Sequence, residues 1–227
     1  MQFGIFIYDG TEPIDLATYG VLSMARRIRP DIQICTIAPR PGIVQLTNGL
    51  RVIPDHDICS APTLDVLIVT GGPGWREQSK ASETLRFICS RADDTLLVSV
   101  CTGSLILAAS GVLNGKAATT KREVVTPETP PIQLMRAAYP QIDVHDASLV
   151  AGDRIITGGG VLLGVDTTLY LLQRLFGRDV AEETARTIEY HRAWPTNLDQ
   201  FPPLIDSPFE ETANENSPQC NSGGRLK

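Results

Sequence analysis

A cysteine stands at a seam in the stretch TLLVSVCTGSLILAASG, residues 95–111. An apolar run enters it, Thr102-Gly103-Ser104 follows, and a helix-like run closed by a glycine leaves it. A thiol at a strand-to-helix turn is either a small core hydrophobe or a nucleophile held up for use. A helix start favours the second reading, because its dipole and unpaired N–H groups favour thiolate. A sharp strand-turn-helix also pushes the side chain out of the sheet, as in a hydrolase nucleophile elbow. A second loop, TGGPGW at 70–75, follows another apolar run. If the two strands are neighbours, Cys101 faces Gly71-Gly72-Pro73-Gly74. Glycines there let backbone N–H groups approach a ligand, as an oxyanion hole requires.

A nucleophile needs a proton partner. The three histidines are His56, His145 and His191, and none is next to Cys101 in the chain. Each reads as a surface or local structural residue, so a Cys-His dyad is weakly supported. A carboxylate is the other option. The segment YDGTEPIDLA carries Asp9, Glu12 and Asp15. By position alone Asp15 reads as a helix N-cap or first-turn acid, worth about 1 kcal/mol, with Glu12 the competing acid. Cys35 and Cys89 sit inside apolar periodic runs and read as core. Cys59 follows HDI in a loop without supporting context. The five cysteines, Cys220 included, are widely spaced and form no CxxC pair for zinc, so no metal site is expected.

The elements that must position these residues follow from periodicity. Buried strands are predicted at 2–8, 32–38, 64–70 and 95–100. A helix is predicted over 14–28, stopping before Pro30, and another from Ser82 as N-cap. IVQLTNGLRVI holds an Asn48-Gly49 turn between alternating runs, a hairpin signal. A second hairpin, SLVAGDRIITGG, turns at Gly152-Asp153. A short ATT segment at 118–120 precedes a helix near IQLMRAAY. Two helices finish the core, the last opening with Asp179 and Glu182 in a capping-box pattern. This β-α-β alternation with continuous apolar strands implies an α/β fold, a mostly parallel central sheet with helices on both faces. Residues 1–201 read as a single domain. Residues 202–227, rich in Pro, Ser, Asn and Glu, read as a disordered polar tail in which Cys220 is outside the chemistry.

Composition narrows the classes of function. The 227 residues include 26 acidic and 20 basic ones, a formal net charge of -6. The longest basic clusters are Arg26-Arg27 and Lys121-Arg122, too short for the basic stripe of a nucleic-acid binder. The N-terminus lacks the basic region and cleavage site of a signal peptide. No apolar run reaches membrane-span length. A cytoplasmic location with reduced cysteines is therefore expected.

At this point the pieces match a family. YDGTEPIDLATYGVL, DVLIVTGGPG, VSVCTGSLILAASGVLNGKAATT and IITGGGVLLGVDTTLYLLQRLFG resemble the ThiJ/PfpI superfamily of class I glutamine amidotransferase-like proteins. The resemblance runs in order from Met1 to about His191. Within it, the I-D-L, GGPG and CTGSLILA combination looks most like isocyanide hydratases, and sensor domains of AraC-type regulators share nearly the same motifs. The resemblance implies a flavodoxin-like sheet, a homodimer, a small-molecule substrate, and no metal or organic cofactor. It implies a site of Cys101, Thr102 and the acid of the D-L motif, Asp15, with Gly71 and Gly72 on the oxyanion side. In isocyanide hydratases the cysteine attacks the terminal isocyanide carbon, the acid handles protons, and water then yields an N-substituted formamide. Where many relatives read ATTHW, this chain reads ATTKREVV. Lys121 and Arg122 thus become candidate pocket-rim cations that favour a polar or anionic substrate. Otherwise they are solvated surface charges.

Three functions are in play. The leading one is a cysteine-dependent hydratase, with isocyanide hydration the specific form. The second is a ligand or redox sensor using an oxidisable Cys101. A self-contained regulator would need a DNA-binding module, for which the stretch after Pro202 is too short and too polar. The third is a glyoxalase-, chaperone- or protease-like activity of the wider superfamily. For a protease a histidine is expected directly after the nucleophile, where Thr102 stands.

Overall fold

The computed structural model describes residues 1–206. Its first half comprises β1 (Gln2–Phe6), α1 (Ala17–Ala25), β2 (Gln33–Ala38), β3 (Val44–Gln45), β4 (Arg51–Val52), β5 (His56–Asp57), β6 (Val66–Val69), α2 (Trp75–Gln78), α3 (Ser82–Arg91) and β7 (Leu96–Ser99). The second half comprises α4 (Gly103–Ser110), β8 (Ala117–Ala118), α5 (Pro131–Ala138), β9 (Asp143–Val144), β10 (Leu149–Ala151), β11 (Ile155–Gly158), α6 (Leu163–Phe176), α7 (Arg178–Thr187), α8 (Ala193–Gln200) and β12 (Leu204–Ile205). Eight strands form one sheet in the order β12-β10-β11-β7-β6-β1-β2-β5. Its pairings are parallel except β10 with β11, the second predicted hairpin.

The strands alternate side chains between two cores, as a period of two requires. Phe3, Ile5, Val66, Ile68 and Val98 join the core shared with α1, α6 and α7. Phe6, Leu67, Val69 and Leu97 join the other, against α3, α4 and α5. The fold is thus a flavodoxin-like α/β sandwich with a mostly parallel sheet. Strand order reverses between β1 and β6, and open sheets of this kind bind ligands beyond the strand ends near such a switch. The connections after β1, β6, β7 and β11 all emerge at that edge.

Several local expectations change. Ser82 is the first helical residue of α3, not its cap, and neither α3 nor α7 carries a side-chain cap bond. Glu182 instead pairs with Arg178 at 2.6 Å, so the predicted capping box is an i,i+4 ion pair. The last predicted helix ends at Thr187, where Glu189 adopts φ 59, and α8 follows as a separate element. The chain also stays in the fold past residue 201: β12 pairs with β10 through Val150 with Leu204 and Ala151 with Ile205. The polar tail and Cys220, from residue 207 on, lie outside the described residues. Among those described, no helix is long and apolar enough to cross a membrane.

Candidate active site

Cys101 ends the β7 strand run and precedes α4, with φ 55. A non-glycine residue persists in that left-handed region only when its surroundings over-determine it. Here they do. Its N–H donates to Gly159 O at 2.9 Å, and its carbonyl accepts from Ser104 Oγ at 3.1 Å and Thr120 Oγ1 at 3.0 Å. Three segments, after β7, β8 and β11, therefore hold one residue in the strained turn that aims its thiol outward.

The β6 and β7 loops touch backbone to backbone. A Cβ built on Gly71 would lie 2.5 Å from Thr102 N and 2.8 Å from Cys101 Cβ, so only glycine fits. Thr102 Oγ1 accepts from Gly72 N–H at 2.8 Å, locking the two loops together. Asp15 sits in a 3-10 turn, Pro13–Leu16, ahead of α1. It caps nothing. Its Oδ2 instead accepts Gly71 N–H at 2.7 Å across the switch point. The N-cap reading of Asp15 is thereby corrected: the acid reaches 56 residues along the chain to the loop after β6. The second carboxyl oxygen is buried without a partner of ordinary geometry, and the Cys101 thiol acts on the carboxyl as a hydrogen-bond donor. Glu12, the competing acid, is half-buried on the cavity wall. Gly71 and Gly72 N–H groups are thus taken by Asp15 and Thr102, which corrects their expected freedom as oxyanion donors. The amides facing the sulfur are those of Thr102 and Val161.

Burial and neighbouring charges act on both groups of the pair. Burial pushes the Asp15 carboxyl up to about 6, opposed by Gly71 N–H, the thiol and Lys121, and reinforced by Glu12. Burial, then the Asp15 charge, pushes the Cys101 thiol up to about 12, although the Thr102 and Val161 amides and Lys121 pull it down. Burial and the Asp15 charge thus work against the thiolate that a helix start would favour. Helix α4 begins only at Gly103, and desolvation outweighs its end. Tyr8 lies close enough for both charges to raise its own pKa after burial does, and its hydroxyl donates to Thr70 O at 2.9 Å.

Cys101 and Thr102 open onto a cavity of about 1030 Å³. Trp75, Leu105, Leu134 and Tyr139 give it apolar walls. Lys121 lines it and Arg122 does not. Arg122 turns away to pair with Asp146 at 3.0 Å, its guanidinium 3.7 Å from the Phe201 ring centroid. The histidines stay apart from the cavity: His145 pairs with Asp143 at 2.7 Å, His56 lies in β5, and His191 sits in the turn before α8. Among the described residues no cluster of His, Cys, Asp or Glu has the makings of a metal site. Sequence reasoning missed Tyr8, Thr120, Gly159 and Val161. The signal for the last two was the strand-end rule itself, applied to 64–70 and 95–100 but not to the second strand of the 148–159 hairpin.

Comparison with known proteins fits this arrangement. The chain is 32% identical to isonitrile hydratase of Pseudomonas putida over 203 residues, 86% of this chain and 81% of that protein. It is 28% identical to the HTH-type transcriptional regulator GbdR of Pseudomonas aeruginosa, over 66% of this chain but only 39% of the regulator. A ThiJ/PfpI family protein from Pseudomonas syringae superposes with TM-score 0.72 at 25% identity, covering 88% of this chain and 87% of that one. Drosophila melanogaster DJ-1beta shares the fold with TM-score 0.70 at 19% identity, covering 83% and 97%. The DJ-1/PfpI family model matches residues 2–171, from the first strand through most of α6. With its thiol at the turn after β7 and its acid on the loop after β1, the chain belongs to the DJ-1/PfpI family.

Proposed function

We propose that this protein is a cysteine-dependent hydratase that adds water to an isocyanide and releases an N-substituted formamide. The observation that carries the reading is the buried thiol–carboxylate pair of Cys101 and Asp15, with no histidine beside it. An isocyanide's terminal carbon must receive both a nucleophile and a proton. One thiol with one adjacent carboxylate supplies both at the same atom. Asp15 takes the thiol proton as Sγ bonds to the carbon, then passes it to that carbon, giving a thioimidate, R–N=CH–S–Cys. Asp15 next takes a proton from water as hydroxide adds to the same carbon, and hands that proton to the nitrogen. The C–S bond breaks as the new hydroxyl loses its proton to Asp15, which passes it to sulfur, and R–NH–CHO leaves. A carboxyl near 6 suits both directions of transfer. The Thr102 and Val161 amides ease charge onto sulfur. Likeness to Pseudomonas putida isonitrile hydratase supports the same reading. The likeness to GbdR favours a ligand sensor instead.

The test is formamide production from cyclohexyl isocyanide, followed against pH. Wild type should turn over and Cys101→Ala should not. Turnover should rise as pH climbs through about 6, because Asp15 must be ionised to accept the thiol proton. No product from wild type across a panel of isocyanides, or turnover that survives in Cys101→Ala, sinks the proposal.

A further inference from the structure

The neighbouring cations Lys121 and Arg122 have opposite fates. Arg122 is consumed by Asp146 and Phe201. Lys121 is half-buried on the cavity wall, and no described carboxylate lies within ion-pairing distance of it. Both ends of its surroundings are tied to Cys101. The residue before it, Thr120, donates its hydroxyl to Cys101 O. The lysine stem packs over Gly160, with Cγ 2.6 Å from where a Cβ there would stand, and Gly160 adjoins the Val161 amide that faces the sulfur. The other charged groups on the wall are Arg76, Lys80, Glu12 and Glu128. Of the three cations, Lys121 alone has a charge felt at both Asp15 and Cys101. With its stem packed on Gly160 and no carboxylate paired with it, Lys121 leaves its ammonium available to a bound anion.

We propose that Lys121 Nζ is an anion subsite beside Cys101, and that the cavity takes an electrophile bearing a carboxylate close to its reacting carbon. This rests on Cys101 being the nucleophile and narrows the isocyanide reading to isocyano-carboxylates. The carboxylate pairs with the ammonium while the reacting carbon meets Sγ. The remaining body lies along the apolar wall of Trp75, Leu134 and Tyr139, for which about 1030 Å³ leaves ample room.

Two alkylating agents of one shape and different charge test the subsite without any assumption about turnover. Iodoacetate and iodoacetamide both form a C–S bond at Cys101 and release iodide, the thiol proton going to Asp15. The ratio of their Cys101 alkylation rates, read by peptide mass spectrometry, cancels any change in thiol reactivity. Lys121→Gln should lower the iodoacetate-to-iodoacetamide ratio about tenfold, the scale of one lost charge-assisted hydrogen bond. Lys121→Arg should retain most of it, and Lys121→Met serves if the glutamine variant melts early. The kcat/KM ratio of isocyanoacetate to cyclohexyl isocyanide should fall in parallel. An alkylation ratio within twofold of wild type in both neutral variants overturns the subsite, even if isocyanides are hydrated. A tenfold fall in that ratio with no isocyanide turnover upholds the subsite and overturns the hydratase reading.

Discussion

Among the described residues two carboxylates are almost fully buried and both are pushed up to about 6, chiefly by that burial: Asp15 and Asp166. Asp15 lies at the strand ends with a backbone amide and a thiol for company. Asp166, in the first turn of α6, is held by side chains of the helical layer. Asn197 Nδ2 donates to its Oδ2 at 3.2 Å, and Tyr190 also bonds to it. Tyr190 is in turn pushed up to about 12, by burial first and then by the Asp166 charge. Each acid leaves one oxygen without an ordinary partner. The contrast shows that a perturbed carboxyl marks a site only when a reactive group and an open cavity adjoin it. Asp166 is not on the wall of the Cys101 cavity, and its network reads as a tie between α6 and the last helices.

The comparison breaks or holds first on turnover. Asp15→Asn should cost about 10³-fold in formamide formation, the scale of a lost proton-transfer group. Asp166→Asn should change it less than about threefold. Comparable losses in both would erase the distinction.

Stability should treat the two acids alike. Each keeps its proton in the folded state up to about 6, against about 4 in the unfolded chain. Their stabilising contribution is therefore full below pH 4 and is lost as pH rises through 6. Asparagine fixes the neutral form. Relative to wild type, either Asp→Asn variant should gain on the order of 2 kcal/mol between pH 4 and pH 7.5. Urea unfolding at the two pH values measures this, and a relative loss over that interval would contradict the burial account.

The smallest effect sharpens the structural role of the second acid. Tyr190→Phe removes a donor that holds the Asp166 carboxylate. It should cost about 1 kcal/mol at pH 7.5. The cost should shrink at pH 4, where the carboxyl is neutral, and turnover should stay near wild type. An equal cost at both values would mean that packing, not charge, ties the tyrosine in.

How much of this could be read beforehand depends on where the determining partner sits. The strand leading to Cys101 and the glycine loop after β6 were legible because continuous apolar runs and glycine clusters are local signals. The hairpin turn was legible for the same reason: Asn48 and Gly49 both adopt positive φ, 60 and 89. Asp15 misled on position because its partner, Gly71 N–H, belongs to another crossover. Periodicity sees a helix start and cannot see an amide across the sheet. Only the family resemblance singled out Asp15. The forces against a thiolate were not legible, because a helix start is visible in sequence and depth of burial is not. The second hairpin's strand end, α8 and the two-residue edge strand β12 escaped because short elements carry too little pattern. Lys121 and Arg122 stood together as one departure, and only tertiary partners, Asp146 and Phe201 for one and the cavity for the other, separated them.

The backbone contact between Gly71 and the Cys101-Thr102 turn has a further consequence. Only a threonine hydroxyl stands between the loop that orients the acid and the turn that carries the thiol. Repacking of either hydrophobic layer therefore finds no apolar spacer between them through which to alter their separation. Mutational drift in the two cores can change how long the molecule survives at a given temperature while its reactive spacing stays the same. Durability and chemistry are then free to evolve on separate schedules, which a site built on side-chain packing would not allow.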